Sequence, residues 1–65
     1  MKTYQRIERC SGYVRITEVK EDGSWHCWSQ WPDGMTLNHS YMNILEMGWH
    51  SLNEFLANKP HFVAI

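Results

Sequence analysis

Three clusters of turn-forming residues divide the chain into short runs: Ser11-Gly12, Glu21-Asp22-Gly23 and Pro32-Asp33-Gly34. Each combines residues that tolerate positive φ or pre-set a turn. The runs between them, Tyr13 to Val19 and Trp25 to Trp31, are rich in β-branched and aromatic residues and predict a β-hairpin. Pro32-Asp33-Gly34 suits a type I turn closed by a glycine in the left-handed region, returning the chain into a brief third strand at Met35 to Leu37.

From Tyr41 the period changes. Tyr41, Ile44, Leu45, Gly48, Leu52, Phe55 and Leu56 follow helical spacing, with Asn43, Glu46, His50 and Glu54 on the opposite face. Ser40 is a suitable N-cap and Lys59-Pro60 a suitable stop, so one helix from about Tyr41 to Ala57 is expected. The competing reading ends a first helix at Gly48 and starts a second at Ser51, where Ser51-Leu52-Asn53-Glu54 has capping-box spacing. Phe62 to Ile65 is a short apolar run that would form a last strand beside the N-terminal segment around Ile7. The expected fold is α+β: a small antiparallel sheet, a meander of three strands plus a C-terminal strand, packed on one α-helix in the order β-β-β-α-β, with residues 1–65 as one domain.

One helix covers one face of a sheet, so the direction of each strand residue matters. In the second strand Trp25, Cys27 and Trp31 share one face, while His26, Trp28 and Gln30 share the other. With a two-residue turn at Asp22-Gly23, Val14 and Ile16 join Trp25, Cys27 and Trp31 in the core, leaving Tyr13, Arg15, Thr17, His26, Trp28 and Gln30 outside. With a three-residue Glu21-Asp22-Gly23 loop, Val14 and Ile16 join Trp28, and Tyr13, Val19, Trp25 and Trp31 make the other face. The first arrangement is preferred, because its outer face is mostly polar. Tyr13, Arg15, His26, Trp28 and Gln30 are then the candidate partner-binding residues, with Trp28 as an aromatic anchor. Met42, Met47 and Trp49 offer a second surface, for which peripheral core is the simpler explanation.

Composition narrows the function. Four Trp, three Tyr and two Phe in 65 residues make aromatics the bulk of any core. Six Lys and Arg against seven Asp and Glu supply no strong field toward nucleic acid or an anionic surface. No long apolar run or secretory leader is present, so a cytoplasmic protein without membrane contact is expected. Cys10 and Cys27 are expected as free, buried thiols. Four His and two Cys lack the spacing of a zinc site, and His26 and Cys27, adjacent in a strand, point opposite ways. The same geometry counts against a Cys and His catalytic pair, and no phosphate-binding or nucleophile motif occurs. No enzymatic activity, metal or cofactor is expected.

The expectation is therefore a small non-catalytic intracellular protein that acts by protein-protein contact, of the kind that serves as an inhibitory or accessory protein of a virus or mobile element. The alternative is a nucleic-acid-binding domain that uses the sheet face, with Tyr13, Arg15, Lys20 and Trp28 in the contact. Self-association would relieve the limited stability of so small a core.

Overall fold

The computed structural model describes residues 2–59 and 61–65. Its elements are β1 (Thr3–Cys10), β2 (Tyr13–Lys20), β3 (Ser24–Gln30), β4 (Thr36–Asn43), α1 (Leu52–Asn58) and β5 (Val63–Ala64). The strands form one antiparallel sheet in the order β4-β3-β2-β1-β5. A small antiparallel sheet with one helix was expected; the meander has four strands, with β1 as its first.

The loops that close β2 to β3 and β3 to β4 are built alike. The Gly23 N–H donates to the Lys20 carbonyl at 2.9 Å with Gly23 at φ +89°, and the Gly34 N–H donates to the Trp31 carbonyl at 2.9 Å with Gly34 at φ +94°. In each loop the aspartate carboxylate accepts the backbone N–H two residues on, from Ser24 to Asp22 and from Met35 to Asp33, both at 2.9 Å. These are three-residue connections, a type I turn followed by a left-handed glycine.

That third residue sets the register. Val19 pairs with Trp25 and Ile16 with Trp28. The preferred two-residue turn is thus corrected: Val14 and Ile16 share the face of Trp28, and Tyr13, Arg15, Thr17 and Val19 share the face of Trp25, Cys27 and Trp31. One residue of slip moves a whole strand's side chains to the other side of the sheet.

The second correction concerns the helix. The strand expected at Met35 to Leu37 is β4, which runs from Thr36 to Asn43, with one extra residue inserted between the pairs Cys27–Ser40 and Ser29–Leu37. Asn38, at φ +61°, takes up the irregularity, as a short polar side chain that tolerates the left-handed region can. A tight turn follows, in which the Gly48 N–H reaches the Leu45 carbonyl at 3.2 Å and the Trp49 N–H the Ile44 carbonyl at 3.1 Å, with Gly48 at φ +99°. This pair of bonds is a Schellman closure. The helix begins only after Ser51, whose hydroxyl accepts the Glu54 N–H at 3.1 Å, while the Glu54 carboxylate accepts the His50 N–H at 2.9 Å. Of the competing reading, the helix start at Ser51 is observed; its first helix ending at Gly48 is not, because the chain up to Asn43 belongs to β4 and Gly48 closes a turn. Pro60, expected to stop the helix, lies outside the described residues.

Val19, Ile44 and Phe55 form the buried centre, at most 2% exposed, with Trp25, Trp49, Leu52, Leu56 and Phe62 against it. Trp49 and Phe62 meet the Phe55 ring edge-on, at centroid distances of 5.6 and 5.4 Å, the geometry that ring quadrupoles favour. Of the second surface suggested by sequence, Trp49 packs on this core, while Met42 and Met47 stand exposed. β5 docks on β1 as expected, at Tyr4 and Gln5, two residues short of Ile7 at its closest pair, and the Ile65 N–H donates to the Thr3 carbonyl at 2.9 Å. The Arg6 guanidinium lies 5.2 Å from the Phe62 ring centroid. Cys27 is a buried free thiol accepting from the Thr17 hydroxyl at 3.6 Å, and Cys10 is a half-buried free thiol. No helix among the described residues is long and apolar enough to cross a membrane.

Candidate functional site

Helix α1 and the Ile44 turn pack on the Val19 and Trp25 side of the sheet. The register therefore assigns every residue to a covered or an open side. Ile7, Ile16 and Trp28 form one row across β1, β2 and β3 on the open side, and Gln5, Glu18, His26 and Tyr41 form the next. Ile16 is buried within this row, Trp28 is half-buried, and Ile7 and Tyr41 are 58% and 71% exposed.

The inserted residue in β4 completes the site. It brings His39 onto this side opposite Trp28, where four rings make one cluster. The His26 ring lies between Trp28 and Tyr41, at centroid distances of 4.4 and 4.2 Å, and His39 lies parallel to Trp28 at 6.0 Å. His26 Nε2 is 3.1 Å from His39 Nδ1, and His39 Nε2 is 3.1 Å from the Thr36 hydroxyl. One proton fills the gap between the two histidines in either tautomer, so a doubly protonated pair would lose that bond. Burial first, then the charge of His39, holds His26 below the ordinary histidine range, with Lys20 acting in the same direction and Glu18 opposing. A concavity of about 310 Å³ opens beside His26 and Tyr41, with Glu18 and Lys20 on its wall.

Of the residues singled out from the sequence, His26, Trp28 and Gln30 share the open side. Tyr13 and Arg15 do not join them, because the three-residue loop turns them to the other side. There Tyr13 stacks on Trp31 with centroids 5.0 Å apart, at the end of the sheet remote from the helix, and lines a cleft of about 430 Å³ with Cys10, Trp31 and Pro32. A hydrogen bond to Cys10, then its charge, raises the Tyr13 phenol above its ordinary range, which leaves it protonated at neutral pH.

Compared with known protein families, curated proteins and solved structures, the chain matches none. The site must be judged on its own chemistry. Among the described residues no three His, Cys, Asp or Glu side chains gather as a metal site. His26 and His39 hold each other and Thr36, and both thiols belong to the strands' other side, so neither cysteine stands against either histidine. Sequence reasoning missed His39 and Tyr41, which it placed before and within a helix. The available signal was Asn38, a residue suited to an irregularity that lets a strand continue.

Proposed function

We propose that the protein is a small non-catalytic module that binds another protein on the open side of its sheet. The observation that carries this reading is the cluster of His26, Trp28, His39 and Tyr41 rings standing beside Ile7 and Ile16 on the side opposite α1. Trp and Tyr concentrate binding energy where a partner can desolvate them. Gln30, Glu18, Lys20 and Arg9 provide a polar rim of mixed sign, which suits the edge of a protein interface.

Nucleic acid is the second reading, since exposed rings can stack bases. Its electrostatics are weaker. Lys20 and Arg9 lie at opposite ends of the open side with Glu18 between them, whereas a phosphate backbone calls for a continuous cationic track.

The test is capture from the native lysate with immobilised wild type, Trp28→Ala and Arg15→Ala, with and without nuclease, after circular dichroism has shown each variant folded. A stoichiometric protein that survives nuclease, is lost with Trp28→Ala and is kept with Arg15→Ala supports the reading. Capture that depends on nucleic acid, or that Trp28→Ala leaves intact, refutes it.

A further inference from the structure

The two edges of the sheet are unlike. At one edge β5 has two residues, and the length of β1 beyond it carries Arg6, Glu8 and Arg9. Short strands and charges are ordinary protection against edge-to-edge pairing. At the other edge β4 is eight residues long, with no Asp, Glu, Lys, Arg or Pro. Leu37, Tyr41 and Met42 are exposed along it. Its one protective device is the irregularity at Asn38, which leaves the stretch from His39 to Asn43 regular.

The hydrogen-bond phase of β4 follows from its end. The Ile44 N–H donates to the Gly23 carbonyl at 2.9 Å. By the alternation of an antiparallel ladder, Met42 and Ser40 also turn their backbone groups to β3, and Tyr41 turns its N–H and carbonyl outward.

We propose that β4 pairs antiparallel with β4 of a second copy of this chain, about a twofold axis at Tyr41. Each Tyr41 then exchanges both backbone bonds with the other, and Asn43 of one copy lies opposite His39 of its mate. Self-pairing suits this strand because a twofold axis sets equal charges against each other and β4 has none; the whole chain carries a formal net charge of only −1. Two five-stranded sheets become one. The ring clusters of both copies adjoin at Tyr41, so one open side runs through the dimer. The inference stands apart from the proposed protein partner, because it rests on the edge of the sheet and needs no third molecule.

Sedimentation velocity of the whole chain from about 10 µM to about 1 mM tests it, a range that reveals even weak pairing. The expected result is a concentration-dependent shift from the mass of one chain to that of two. Tyr41→Lys and Tyr41→Glu should each weaken the dimer several-fold, because like charges then face each other across the axis. An equimolar mixture of the two should recover a 1:1 dimer, which also shows that both variants are folded. A wild type that remains a single chain throughout overturns the proposal. So does a dimer insensitive to either substitution, or a mixture that fails to pair.

Discussion

Gly23 and Gly34 occupy the same position in two loops of one design, yet alanine should not cost the same at both. Each glycine has φ near +90°, where an L side chain is strained. Around Gly34 an added Cβ meets nothing within 4 Å, so Gly34→Ala should destabilise by the backbone term alone, about 1–2 kcal/mol. At Gly23 the same Cβ would stand 2.9 Å from the Asn43 side-chain oxygen. That side chain accepts the Leu45 N–H at 2.9 Å and donates to the Asp22 carbonyl at 3.3 Å. Displacing it forfeits two hydrogen bonds at about 0.5–1.5 kcal/mol each, so Gly23→Ala should cost roughly 2–5 kcal/mol in all. Urea unfolding followed by tryptophan fluorescence measures both. Combining Gly23→Ala with Asn43→Ala should remove the excess, which makes the coupling between the two positions the decisive quantity. Equal losses for the two glycines, or additive behaviour in the double variant, would refute the packing of Asn43 beneath the first loop.

Other substitutions probe the core, the helix start and the ring cluster. Phe55→Ala should destabilise by about 3–5 kcal/mol in chemical denaturation, since it empties the space between Val19, Ile44, Trp49 and Phe62. Ser51→Ala should cost about 0.5–2 kcal/mol by the same measurement, through loss of the Glu54 cap. His26 should titrate below ordinary histidines in an NMR pH series, and His39→Ala should move it upward by removing the like charge. Because the folded chain resists a proton that the unfolded chain accepts, stability should be full above the ordinary histidine pKa and fall as pH drops toward the folded value. Urea midpoints at pH about 7.5 and about 5 check that sign, and a His26→Gln variant should lose that part of the pH dependence.

The hairpins were legible because Asp-Gly in a turn has a mechanism, and both loops use it. Which side each β2 residue faces was not, since Glu21-Asp22-Gly23 accommodates two-residue and three-residue connections and only the observed pairing of Val19 with Trp25 decides between them. β1 escaped detection because Gln5-Arg6-Ile7-Glu8-Arg9 shows no alternation; it is a strand because all eight residues pair with β2. The helical pattern from Tyr41 to Gly48 was coincidental. Ile44 is buried, whereas Tyr41 and Leu45 are exposed, so the spacing there marks no continuous face. His26 and Trp28 were legible as neighbours on one side because alternation within β3 does not depend on register. His39 and Tyr41 reach them only through the inserted residue in β4, a tertiary feature with a faint local signature.

The alternation along β3 has a practical consequence. His26, Trp28 and Gln30 shape what an approaching molecule meets, while Cys27 and Ser29, both buried on the other side, shape what lies beneath. A library randomised at the first set can be selected for binding without disturbing the second, although the two interleave within a single strand.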